Sequence, residues 1–165
     1  MYKTMEINVL GSTYTVHIRK IGTHPFIGNG YENLGLTIQP TREIFVGDVF
    51  SLPRNNDYIE EYDADQKKIR ELCNGLVEYM KATLRHEIIH AFLIEAGLQT
   101  CAHNYEGAWV NNEEMIDWFA NIFPKMHVAM CSAEHWMEGV MKDQIDEMLK
   151  STFAQKKSSN LSNKE

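Results

Sequence analysis

Cysteine is scarce and scattered. The 165 residues hold three, Cys73, Cys101 and Cys131, an odd number with no CxxC spacing. That excludes a disulfide framework and points to a reducing compartment, with all three expected as packed free thiols. Basic residues are short as well: 16 Lys and Arg stand against 23 Asp and Glu, a formal net charge of -7. Phosphate binding needs clustered Lys and Arg, so nucleic acid is not expected as a partner. Long apolar runs are missing. The longest, Ile88 to Ile94, is broken by His90 and is far too short to span a bilayer, so no membrane is expected either. The opening MYKTMEINVL has no apolar core and no small-residue cleavage site of the kind that marks a signal peptide. Together these absences predict a cytoplasmic protein.

What is present suits one globular domain. Hydrophobic residues make up 44% and charged residues 24%, enough for one buried core but not for a second full domain. The expected division is a single domain over 1–154 and a polar Ser-, Lys- and Asn-rich tail over 155–165.

The first third reads as strands. Glu6–Leu10 and Thr13–Ile18 flank Gly11-Ser12, a two-residue hairpin signal. Gly35–Ile38 and Glu43–Val46 follow, around a turn that holds Pro40. Helical spacing then takes over. Asp63 and Gln66 have capping-box spacing, and Ile69, Leu72, Leu76, Met80 and Leu84 recur at three to four residues. The pattern ends at Gly97, a natural C-cap, with a break expected near Asn74-Gly75. A second helix is expected over Glu113–Phe123, stopped by Pro124, and a last one from Ser132, a good N-cap, to about Phe153. The fold class expected is α+β: a small antiparallel or mixed sheet packed on a buried helix, followed by two further helices.

The chemistry sits in the middle of that buried helix. His86-Glu87-Ile88-Ile89-His90 places two imidazoles four residues apart, on one helical face. Two imidazoles so placed are a ready pair of zinc ligands. Glu87 lies between them in sequence and has the position of a general base for metal-assisted hydrolysis. Two ordinary helical histidines are the bland alternative. The apolar flanks, Leu84 on one side and Ala91-Phe92-Leu93 on the other, weigh against it, because unpartnered polar groups are costly in a buried helix.

These residues resemble the HExxH zincin metallopeptidases. The flanking residues are most similar to small phage-type and ImmA/IrrE-like metallopeptidases, over about Glu43 to Pro124. The resemblance implies a small sheet against the metal-bearing helix, one Zn2+ per chain, a peptide or protein substrate, and a third ligand from a later helix. The extended metzincin motif would need Gly at 93 and His at 96, where this chain has Leu93 and Ala96. Instead, Glu113-Glu114-Met115-Ile116-Asp117 resembles the ExxxD helix of gluzincins. By that resemblance Glu113 is the third ligand, and Asp117, one turn on, holds a ligand histidine from outside the metal's own shell. Glu113 also falls in phase with the apolar positions Ile116, Ala120 and Phe123, and Glu114 is its rival. An ordinary acidic first turn is the alternative for all three carboxylates.

His103, Tyr105 and His127 are weaker candidates for stabilising an oxyanion. His17, His24 and His135 are expected to have no catalytic duty, and Trp109, Trp118 and Trp136 read as core anchors. The function expected is peptide-bond hydrolysis, with an extended substrate added beside a strand such as Glu43–Val46. The alternative is a zinc-containing protein-binding or regulatory accessory protein with little turnover.

Overall fold

The computed structural model describes the backbone of residues 3–23, 34–52, 66–98 and 113–162; the side chains of 66, 113–117, 120 and 151–162 lie outside that description. The chain forms β1 (Lys3–Val9), β2 (Ser12–Lys20), β3 (Gly35–Ile38) and β4 (Glu43–Asp48). A single 3-10 turn (Val49–Ser51) follows, then two helices, α1 (Gln66–Glu95) and α2 (Glu113–Ser162). The class is α+β, with one mixed four-stranded sheet in the order β1-β2-β4-β3. Strands β2 and β4 are parallel, whereas the β1–β2 and β3–β4 pairs are antiparallel. Among the described residues no helix is long and apolar enough to cross a membrane.

Strand alternation decides which face is buried. In β1, Ile7 and Val9 are buried while Thr4, Glu6 and Asn8 are exposed, the period-two pattern of a sheet with one covered face. Tyr14, Val16 and Ile18 of β2 and Ile44 and Val46 of β4 join the same core. The hairpin turn is Leu10-Gly11, one residue earlier than the Gly11-Ser12 expected. Val9 pairs with Ser12, and both loop residues have positive φ, 52° and 93°. That conformation matches the right-handed strand twist, and Gly adopts it without strain. Asn8 Oδ1 accepts the Gly11 N–H at 3.1 Å. Strand β4 pairs on both sides, so it cannot take an added substrate strand as expected of Glu43–Val46. Among the described residues the sheet's edges are β1 and β3.

Helix α1 is continuous through Asn74-Gly75. No break occurs, because the apolar stripe Ile69, Cys73, Val77, Met80, Leu84, Ile88 and Phe92 is buried along the whole length. Burying each such large side chain contributes about 1.5–3 kcal/mol, more than the ~1 kcal/mol that one interior Gly costs. The C-terminal stop is the one expected. Gly97 has φ 73°, and the N–H groups of Gly97 and Leu98 reach the carbonyls of Ile94 and Leu93, a Schellman cap.

The two helices expected after residue 113 are a single helix. α2 runs unbroken from Glu113 to Ser162 with Pro124 inside it, so Ser132 is an interior residue and the helix passes the Phe153 end expected. Apolar positions cross Pro124 in one phase: Phe119, Ile122, Met126, Ala129, Ala133, Met137 and Val140 all pack on the core. That stripe outweighs the roughly 3 kcal/mol cost of an interior proline.

Helices α1 and α2 lie antiparallel, pinned by ion pairs. Arg85 meets Glu134 at 2.9 Å, Lys81 bridges Glu78 and Glu138, and Arg70 lies 3.5 Å from Asp146. The C-terminal end of α1 is tied to the hairpin through Glu95. Ser12 Oγ and Tyr14 Oη donate to its carboxylate at 2.8 and 3.0 Å. Those hydroxyls, with Arg42 beside them, hold the Glu95 carboxyl below its ordinary range. Burial and the same carboxylate push Tyr14 up to about 12.

Candidate metal centre

Helical spacing brings His86 and His90 together as expected. Both are exposed, not buried as expected, so the cost of burial no longer weighs against two ordinary surface histidines; their Nε2 atoms lie 3.0 Å apart and their ring centroids 4.6 Å apart at 75°. Two nitrogens each about 2.0–2.1 Å from a tetrahedral zinc stand about 3.3 Å apart. The pair is therefore already near the span that one ion requires. At that distance one ring's N–H can donate to the other's nitrogen, and two imidazoles are donors that zinc prefers.

Glu87 departs from its neighbours. One residue on, its side chain swings about 100° round the helix and turns onto β3, where it is 7% exposed. Thr37 Oγ1 lies 2.8 Å from Glu87 Oε2 and 2.9 Å from the Glu87 carbonyl oxygen. Its one hydroxyl proton is shared between the carboxylate and the backbone of the metal-bearing helix. Gly35, two residues before Thr37 on the same strand, makes the room. A Cβ at Gly35 would sit 2.4 Å from Glu87 Oε1 and 2.7 Å from Cγ, distances that no ordinary contact reaches. Gly35 and Thr37 are the neighbours of Glu87 that sequence reasoning missed. One signal was available: a glycine inside a strand pattern marks a bulge or a close approach.

The remaining expected site residues divide plainly. Glu113 is the first residue of α2, and the side chains of Glu113, Glu114 and Asp117 lie outside the described residues. The backbone still bears on them. The Arg85–Glu134 and Lys81–Glu138 pairs set residues near 129 of α2 level with His90. At 1.5 Å per residue, an unbroken helix starts Glu113 about 24 Å further along the axis. Among the described residues no group of three His, Cys, Asp or Glu side chains converges. His24, Cys101, His103, Tyr105 and Trp109 fall outside the described residues.

His127 is exposed and stacks on Phe123, with ring centroids 5.8 Å apart. His17 is buried against Phe45, with Nε2 3.2 Å from Glu43. Trp118 and Trp136 pack on the core as expected. Cys73 is packed, but Cys131 is exposed, because residue 131 falls off the buried stripe of α2.

A cavity of about 830 Å³ lies between α2 and the ends of β2 and β4, against Lys20, Asp48 and Gln144, and none of the motif residues line it. Its buried carboxylate, Asp48, accepts hydrogen bonds from Gln144 Nε2 at 3.1 Å and from the Phe50 N–H at 3.0 Å. Burial raises the Asp48 pKa against those donors. That pattern ties β4 to α2 and caps the 3-10 turn. No protein family, curated protein or solved structure matches this chain.

Proposed function

We propose that the chain is a zinc-dependent hydrolase of peptide bonds, a minimal zincin in which the sheet packs on the HExxH helix. The observation that carries this is the convergence of His86 and His90 Nε2 at 3.0 Å, one helical step from a buried carboxylate lodged against a strand. His86 and His90 hold the ion; Glu113 and Asp117, which the resemblance offered as third ligand and its support, start too far along α2 to reach it, so the third ligand comes from another part of the chain. Zinc, when bound, supplies Lewis acidity for attack on a carbonyl. Glu87 takes the proton of the attacking water on its carboxylate and delivers it to the departing amine. Thr37 and Gly35 hold that carboxylate in one rotamer. An extended substrate joins the sheet beside β3, an edge strand among the described residues and the one that carries both of these residues.

The decisive experiment pairs metal analysis with hydrolysis of an unfolded protein. His86→Ala should lose zinc, with an affinity drop beyond the ~10–100-fold typical of residues outside the metal's own shell. Glu87→Gln, nearly isosteric, should keep zinc and fold but lose turnover. Zinc retained in the first variant, or full turnover in the second, would sink the reading. Because unbroken α2 starts Glu113 about 24 Å along the axis from the pair, Glu113→Ala and Glu114→Ala should both leave zinc affinity at the wild-type value. A severe loss in either variant would mean that α2 bends back toward α1 and would return that glutamate to the ligand set.

A second reading is a zinc-containing protein-binding accessory protein without turnover. The depth of Glu87, 7% exposed and engaged by Thr37, favours it. Metal-dependent stability in a wild-type protein that hydrolyses nothing would select it.

A further inference from the structure

Helix α2 carries a second pair of side chains of metal-ligating type, which among the described residues does not converge with His86 and His90. His127 and Cys131 are four residues apart and both exposed, so they project from one helical face. Cys131 Sγ stands 3.6 Å from His127 Nε2 and 3.7 Å from Nδ1. A sulfur about 2.3 Å and a nitrogen about 2.0–2.1 Å from one tetrahedral zinc lie about 3.6 Å apart. The near-equal distances mean that no single in-plane bond fixes the ring. A turn of the exposed imidazole brings either nitrogen to a shared ion.

Two donors make half a site. Structural zinc takes four protein ligands, Cys2His2 among the commonest sets, and among the described residues no third donor converges on this pair. The surroundings indicate where the other half comes from. The described residues include three exposed large hydrophobic side chains, Tyr79 at 44%, Phe123 at 59% and Val128 at 66%. Two of them belong to this turn. Phe123, Pro124, His127, Val128 and Cys131 recur at helical spacing, and all are exposed, which gives one stripe with an apolar fringe around a His–Cys pair. Across a twofold axis residue i of one copy meets residue j of the other and the reverse, so two such stripes bring together two His127 and two Cys131, the Cys2His2 set that one copy supplies only by half.

We propose that two copies of this chain pack α2 against α2 and bind one zinc ion through His127 and Cys131 of each. Each Cys131 thiol gives its proton to solvent as the thiolate binds. Phe123 and Val128 lose water at the rim of the contact. This site is separate from His86 and His90 and does not depend on their role.

The test uses the full chain under reducing conditions, both wild type and with His86→Ala/His90→Ala to remove the other pair. Zn2+ or Co2+ is titrated while mass is followed by light scattering and cobalt by absorption. Expected in both proteins is a rise from the 19.1 kDa monomer to twice that mass. Co2+ should give a thiolate-to-cobalt charge-transfer band at one ion per two chains, and a chelator should reverse both. Cys131→Ser, checked for an unchanged circular dichroism spectrum, should lose the band and the dimer, and His127→Ala should weaken both. A monomer at saturating metal overturns the proposal. So does a thiolate–cobalt band in a species of monomer mass. A dimer that survives chelator or Cys131→Ser overturns the metal's part in it.

Discussion

Glu87 and Asp48 are two carboxylates at nearly the same depth, 7% and 9% exposed, and they are held in opposite ways. Both Asp48 oxygens have a donor, the Gln144 amide on one and the Phe50 N–H on the other. Glu87 receives its hydrogen bond on one oxygen, from Thr37, and the other lies against Gly35. Asp48 joins three elements and has one donor on each oxygen. Glu87 is lodged in a slot that only a glycine leaves open, beside two converging imidazoles. Burial of a charge does not by itself mark a reacting group. The informative quantity is how much of its hydrogen-bonding capacity the fold has already taken.

Substitutions can break that comparison. The largest effect is expected from Gly35→Ala. The added methyl overlaps Glu87, so the carboxylate must leave its slot. Stability should fall by about 1–3 kcal/mol, as for an overpacked core, and turnover should fall with it. An unchanged melting temperature and activity would show that Glu87 has no need of the slot. Thr37→Val keeps shape and removes the hydroxyl. A loss of about 1–2 kcal/mol is expected in denaturant unfolding, because the hydrogen bond is to a charged group. No loss would assign Glu87 to solvent rather than to Thr37.

The smallest effect, and the one with its own pH signature, belongs to Asp48→Asn. Burial raises the Asp48 pKa in the fold, so over the window between its unfolded value, about 3.9, and its higher folded value the native state binds the extra proton. Stability from this group falls as pH rises through that window and stays lower above it. Asn carries no charge and escapes the penalty. The variant should therefore gain on the wild type in unfolding free energy from about pH 4 upward, by no more than about 1 kcal/mol at neutral pH, as read from denaturant unfolding at each pH. A gap that shrinks with rising pH would reverse the sign argued here.

Local features were legible in the sequence because they depend on neighbours. The i, i+4 spacing of His86 and His90 fixes their meeting whatever the fold. Gly97 ends α1 for a conformational reason that any helix shares. Features set by distant segments were not legible. Thr37 and Glu87 are fifty positions apart, and nothing in either residue's vicinity announces the bond. The parallel pairing of β2 with β4, which puts β3 at the edge, is likewise decided by which strands the helices cover. Pro124 misled for a third reason. Its local cost is real, but the apolar phase from Phe119 to Met137 crosses it unbroken, and tertiary packing decided the outcome.

Pro124 has a mechanical consequence as well. It has no amide hydrogen, so the carbonyl four residues back loses its helical partner and the ring crowds that turn. α2 is in effect two rods spliced at one weak joint. Downstream, Glu134, Glu138 and Asp146 rivet the helix to α1. A load on the upstream end should bend the joint long before it peels the riveted length away. Amide hydrogen exchange should register that asymmetry, with residues next to the joint opening at lower free energy than the stretch from Ala133 to Leu149. Uniform protection along α2 would mean that the splice is as stiff as the rod.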